Sequence, residues 1–195
     1  MTQILVLLDP DDPRETEIRA AFDALTDEKY AFELRTEDTE ELTSYPVVFA
    51  CRALRDLPRF TGYVGDGRCL VTVGEACTGE DPAYAALTGV ALRDTLPECE
   101  ISVEIVNPEH PIMWDAADFT VREPHRLLDP VEEYCSVLAE SSSEAGGFGA
   151  IAAQVRPLNG GRVIPLAVGS APETWAEPSF RAILAGIVRY CVEGE

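Results

Sequence analysis

Apolar residues along this chain fall into short runs separated by polar, helix-compatible stretches. Residues 3–8, Gln-Ile-Leu-Val-Leu-Leu, form a continuous apolar run, the pattern of a strand covered on both faces. Asp9-Pro10-Asp11-Asp12 follows as a turn. Asp12, Pro13 and Glu15 then supply an N-cap, a proline at the first helical position and the acid of a capping box. Ile18, Phe22 and Leu25 repeat at helical spacing, and Tyr30 to Leu34 alternates as an edge-like strand. Residues 37–42 suit a short helix or loop. Pro46 to Ala50 is a third strand. Residues 56–65 suit a short helix ending at the Gly65-Asp66-Gly67 turn, and Cys69 to Val73 is a fourth strand. This β-α-β-α-β-α-β rhythm predicts a mostly parallel, doubly wound sheet with helices on both faces.

Beyond residue 99 the pattern changes. Glu100 to Val106 alternates as a strand, and Phe119–Val121 and Cys135–Leu138 are short strand candidates. Ala150–Val155 and Arg162–Val168 are further strands, joined by a hairpin-like turn over residues 157–161. Residues 141–147 suit a flexible loop. Pro178 opens a closing helix with Phe180, Ile183, Leu184, Ile187 and Cys191 on one face. No repeat or linker interrupts the chain, so one domain over residues 1–195 is expected, flavodoxin-like, with a few antiparallel strands in its second half.

Composition limits the choice of partner. The 195 residues carry 35 Asp and Glu against 15 Lys and Arg, a formal net charge of −20. Nucleic acid and anionic membrane surfaces are therefore not expected partners, since phosphate binding needs clustered Lys and Arg. No stretch approaches the ~18 consecutive apolar residues of a membrane span, and the N-terminal run lacks a basic flank, so a cytoplasmic location is expected. Fourteen of the 15 basic residues are arginine, leaving Lys29 alone. Salt adaptation (a halophilic surface) and GC-rich coding both produce that bias. The acid is uneven: residues 1–50 hold 13 Asp and Glu, and residues 145–172 hold none, which suggests a central position for the latter.

The six cysteines lack C-x-x-C spacing and a nearby histidine, so neither a zinc site nor a disulfide framework is expected. Asp9, Asp11 and Asp12 offer hard oxygen ligands, but helix capping suits them better. Neither a metal nor a cofactor is expected.

Several segments, in order, resemble the ThuA-like (trehalose-utilisation) family, a branch of the class I glutamine-amidotransferase-like fold. They are Phe60–Gly67, Leu70–Val73, Tyr84–Gly89, His110-Pro111-Ile112, Phe119–Glu123, Gly160–Val163 with Val168-Gly169, and Pro178–Phe180. The resemblance covers residues 3–192. It implies a ligand pocket at the carboxyl ends of the strands and a role in sugar catabolism. The chain departs from the family where histidines are common: it has Asp9-Pro10-Asp11 after the first strand, Val73-Gly74-Glu75 at the elbow, and Gly169-Ser170 after the last strand. Of the family's histidines only His110 remains.

Ligands of open α/β sheets bind outside the carboxyl ends of the strands. Asp9, Glu75, Cys77 and Ser170 are expected there, with His110 approaching from a rigid turn between Pro108 and Pro111. Glu75 or His110 would move a proton at a sugar carbon or activate water. Cys77, on a tight turn with Gly79 beyond it, suits a nucleophile with His110 as base. Glu123, Ser170, Asp9 and Trp175 would contact ligand, Trp175 by stacking on a sugar ring. Trp114 is a weaker candidate of the same kind, and His125 is expected on the surface. Three readings of function stay open. The first is a protein acting on or binding a carbohydrate, with a degenerate histidine site. The second is a non-catalytic relative that binds a ligand or partner, and the third a Cys77-dependent amidotransferase or hydrolase. A homodimer is also expected.

Overall fold

The computed structural model describes residues 1–37, 39, 41–79, 82–131, 135–146, 148–155 and 160–194. The expected hairpin turn over residues 157–161 thus lies largely outside the described residues. So do parts of the segments expected at 37–42 and 141–147.

The apolar runs become the centre of one nine-stranded sheet. Its strands are β1 (Thr2–Leu7), β2 (Tyr30–Arg35), β3 (Val47–Ala50), β4 (Cys69–Val73), β5 (Val90–Ile105), β6 (Phe119–Pro130), β7 (Cys135–Ser142), β8 (Phe148–Val155) and β9 (Arg162–Leu166). Their order is β2-β1-β3-β4-β9-β8-β7-β5-β6. The first five in that order are parallel, with Val6 opposite Phe49, Phe49 opposite Val71, and Val71 opposite Ile164. From β9 to β6 every pairing is antiparallel. The fold is mixed α/β with a mostly parallel centre, as the element rhythm predicts.

Period-2 alternation sends the two faces of the sheet into two cores. Ile4, Val6, Phe49 and Val71 pack with α1 (Glu15–Asp23) and α4 (Pro178–Glu193). Leu5, Leu7, Val48 and Leu70 pack with α2 (Leu57–Gly65) and α3 (Pro82–Thr88). Asp12 caps the approach to α1 by accepting from the Arg14 backbone N–H at 2.9 Å. The other half of the expected capping box is replaced, because Glu15 pairs with Arg19 one turn on. Asp56 caps α2 by accepting from the Arg59 N–H.

Helix α4 runs against the direction of the parallel strands. Its first turn lies near Gly169, after β9, and its last turn lies near the strand starts. There Cys191 is bonded to Cys69, their Cα atoms 6.2 Å apart, and Glu193 accepts from Tyr30. The Cys69–Cys191 pair corrects the expectation that no cysteines are bridged. No helix among the described residues is long and apolar enough to cross a membrane.

The largest departure from the sequence pattern is the β5–β6 ribbon. Strand β5 begins at Val90, ten residues before the alternation is visible, and its register shifts between Leu92 and Asp94 and between Leu96 and Glu98. Pro97, which has no N–H, sits in the second irregularity. Strand β6 folds over β8 so closely that a Cβ on Gly149 would come within 2.9 Å of the Leu128 backbone nitrogen. That crossing carries Glu123 and Arg126 to the loop after β9.

Candidate functional site at the carboxyl ends of the strands

Four parallel strands end side by side, and Asp9 follows β1, Cys51 follows β3, Gly74 follows β4 and Gly169 follows β9. Backbone and charged side chains are stitched together there. Arg14 is buried; its Nε and one terminal nitrogen grip both oxygens of Asp12, at 2.9 and 2.6 Å. The same guanidinium donates to the carbonyls of Gly169 at 3.0 Å and Cys51 at 2.8 Å. Burial alone would raise the Asp12 carboxyl; the side-chain and backbone hydrogen bonds from Arg14, with its charge, outweigh burial and hold it below its ordinary value. Asp12 and Arg14 therefore clamp the loops after β1, β3 and β9.

Glu123 forms a second clamp. Its carboxylate accepts from three successive backbone N–H groups, Gly169, Ser170 and Ala171, at 3.1–3.3 Å. It also accepts from the Thr174 hydroxyl at 2.7 Å. Successive N–H groups of this kind form an anion-binding nest. Here the anion is part of the chain. Glu123 is 1% exposed, its carboxylate is taken up by these donors, and it borders the cleft that Ser170 also lines.

Arg126 links these clamps to solvent. Its guanidinium, 6% exposed, donates to Ser170 Oγ at 2.7 Å and to Glu75 Oε1 at 3.5 Å, and lies 4.0 Å from Glu123 Oε1. Glu75 is 61% exposed, so its carboxylate stands in water with a buried cation behind it. Ser170 also lines a cleft of about 530 Å³, together with Arg122, Pro124, Ala171, Pro172 and Glu98.

The structure brings Glu75, Ser170 and the buried Glu123 together around Arg126 and leaves His110 apart from them. Cys77 is 1% exposed and directs its thiol at the carbonyls of Thr72 and Leu166, both at 3.1 Å. Burial pushes that thiol up to about 12, so it is not a poised nucleophile. The left-handed residue at the end of β4 is Gly74, with φ +60°, and a Cβ on it would meet Ser170 Oγ at 2.8 Å. The elbow thus holds no side chain, and Ser170 fills the space one would take.

His110 lies at the other end of the sheet. Its Nδ1 accepts from the Ile112 N–H at 3.3 Å, and its ring is 5.0 Å from that of Tyr190 in the last turns of α4. Tyr190 in turn lies under the guanidinium of Arg162, the first residue of β9. His110 therefore packs at the strand starts and does not complement Glu75. His125 is buried, not on the surface, between the hydroxyls of Ser141 at 2.8 Å and Ser143 at 3.0 Å.

Trp175 is fully buried and donates to the Gly169 carbonyl at 3.0 Å. It packs on Phe22 and, edge-on, on Phe180, so it is core and not a stacking platform. Trp114 is 60% exposed and donates to Glu109, on the turn that carries His110. Asp9 pairs with Arg55 at 3.0 Å on the rim. No group of three or more His, Cys, Asp or Glu among the described residues is arranged to hold a metal ion.

Arg14 and Arg126 escape sequence reasoning, because a charged residue is exposed by default and nothing in its neighbours marks it as buried. The spacing of Glu123 and Arg126 is also misleading: in a regular strand they face opposite sides.

A family model described as trehalose utilisation, ThuA, matches residues 4–191. The chain belongs to the ThuA family. No curated protein matches its sequence. Among solved structures, this ThuA chain is similar to a protein of Salmonella typhimurium described as cytoplasmic, with 12% identity and a TM-score of 0.72 over 97% of this chain and 98% of the other. A glutamine amidotransferase from Thermotoga maritima aligns with 11% identity and a TM-score of 0.61, over 98% of each chain. An exo-β-1,4-mannosidase from Opitutaceae bacterium strain TAV5 aligns with 9% identity and a TM-score of 0.60, over 98% of this chain and 36% of that one. At these identities the likeness is one of fold, and it is the amidotransferase-like fold implied by the sequence motifs.

Proposed function

We propose that this ThuA-family chain binds a carbohydrate at the carboxyl ends of its strands, with Glu75 and Ser170 as the polar groups presented to it. The observation that carries the reading is the Glu75–Arg126 pair: a carboxylate 61% exposed, backed by a guanidinium 6% exposed. A carboxylate accepts from two sugar hydroxyls at once. The family description, trehalose utilisation, agrees with that chemistry. If the ligand is turned over, Glu75 is the group placed to move a proton.

A second reading, binding without catalysis, is favoured by the nest at Gly169–Ala171. Donors of that kind stabilise developing negative charge in enzymes, and here Glu123 occupies them.

A titration of ¹⁵N-labelled protein with trehalose and with glucose tests the binding reading. Amide resonances of Gly74–Ala76 and Gly169–Ala171 are expected to shift. Shifts confined to other regions, or none with any sugar, overturn it. Following the sugar spectrum over hours separates the two readings: new sugar resonances support turnover, and an unchanged sugar supports binding alone.

A further inference from the structure

We infer that the ligand is a sugar acid whose carboxylate docks on Arg126 and Ser170 by displacing Glu75. This rests on the carbohydrate reading above and narrows its substrate class.

The argument starts from how unevenly Arg126 is held. One arm of its fork makes a short bond to the neutral Ser170 hydroxyl, 2.7 Å. The other reaches Glu75 only at 3.5 Å, and that carboxylate is mostly in water. A guanidinium matches a carboxylate best through two parallel N–H bonds. The Arg126–Glu75 contact is far from that geometry, so the resident carboxylate is weakly tethered. Its departure into solvent loses one long contact and regains hydration. An incoming carboxylate then takes its place on the buried guanidinium, with Ser170 Oγ as a further donor.

Charge selects the group that exchanges. The guanidinium has the Glu123 carboxylate as a neighbour at 4.0 Å, fully buried and engaged with backbone N–H groups and Thr174. Replacing Glu75 by a ligand carboxylate keeps the local charge constant. A phosphate dianion would add a negative charge next to Glu123 in a poorly solvated place, which is unfavourable. A neutral sugar leaves Glu75 where it is and gains nothing from Arg126. The cleft of about 530 Å³ that Ser170 lines has room for the remaining polyol, and its other charged walls are Arg122 and the carboxylates of Glu98, Glu123 and Glu173.

The test is calorimetric titration of the whole chain with glucuronate, glucose, glucose 6-phosphate and acetate. Glucuronate is expected to bind about tenfold more tightly than glucose, the scale of one charge-assisted pair, and more tightly than glucose 6-phosphate or acetate. Arg126→Gln is expected to reduce glucuronate affinity to that of glucose. Since Arg126 is buried and its loss threatens folding, Ser170→Ala and Glu75→Gln are tested beside it. The first is expected to weaken glucuronate selectively, and the second to strengthen it by removing the competing carboxylate.

Equal binding of glucose and glucuronate overturns the sugar-acid inference and leaves the carbohydrate reading standing. Tighter binding of glucose 6-phosphate overturns the choice of carboxylate. Acetate binding as tightly as glucuronate, with no glucose binding, overturns the carbohydrate reading itself. Discrimination unchanged in Ser170→Ala and Glu75→Gln overturns the placement of the subsite.

Discussion

Arg126 donates to the hydroxyl of Ser170 at 2.7 Å, joining a strand from the far edge of the sheet to the loop that follows its central parallel strand. The two residues are 44 apart in sequence. They meet because β6 folds back over β8 at Gly149. The candidate site is therefore a product of the antiparallel half of the molecule closing over the carboxyl ends of the parallel half.

The Glu123 clamp is expected to govern stability more than ligand contact. Glu123→Gln keeps the shape but turns an NH2 group toward backbone N–H donors and removes the buried charge beside Arg126. Loss of about 2–4 kcal/mol is expected, the scale of a broken buried charged network. Urea unfolding of the variant against the parent measures it; a difference within 0.5 kcal/mol, the usual scatter of surface substitutions, contradicts the assignment.

The Asp12–Arg14 pair gives a pH signature with a definite sign. The Asp12 carboxyl is held below its ordinary value of 3.8 in the folded chain. A depressed carboxyl stabilises the fold fully above the unfolded value, and that contribution is lost as pH falls through the folded one. Asp12→Asn is expected to cost about 3 kcal/mol at neutral pH, since it leaves Arg14 buried without its charge partner. The gap between variant and parent should then narrow as pH drops below 3.8. Unfolding curves from pH 7 to pH 2 measure it, and a constant gap would show that the pair does not titrate as described.

Cysteine reactivity separates the thiols by position. Cys77 is buried with its thiol at about 12, whereas Cys99 and Cys135 are half-buried, Cys135 pushed up to about 11. Iodoacetamide with mass-spectrometric readout is expected to label Cys99 first and to leave Cys77 unlabelled until the chain unfolds. Native labelling of Cys77 ahead of Cys99 would restore it as a nucleophile.

What the sequence made legible follows from burial. β1, β3 and β4 are covered on both faces, so they appear as unbroken apolar runs, and α4 shows its buried stripe from Phe180 to Ile187. The β5–β6 ribbon does not announce itself, because residues 91–98 of β5 are largely exposed and two register shifts break their alternation. Trp175 looks like a loop residue since it lies in a short turn, and only the approach of Phe22 and Phe180 makes it core. His110 was expected at the strand ends. The antiparallel course of α4, invisible to a linear reading, puts its partner Tyr190 at the strand starts. Glu75 and Ser170 were legible as site candidates because they directly follow strand-end glycines. Arg126 and Arg14 were not, since nothing local marks a buried arginine.

The most direct measurement is a crystal structure of the chain soaked with glucuronate and, separately, with trehalose. Sugar oxygens are expected within hydrogen-bond reach, ~2.6–3.2 Å, of the Ser170 hydroxyl and of Arg126 or Glu75. A sugar seated instead in the cavity of about 500 Å³ between β5, β6 and β7, lined by Ser102, Glu104, Asp118 and Glu140, with the strand ends unoccupied, would contradict the account.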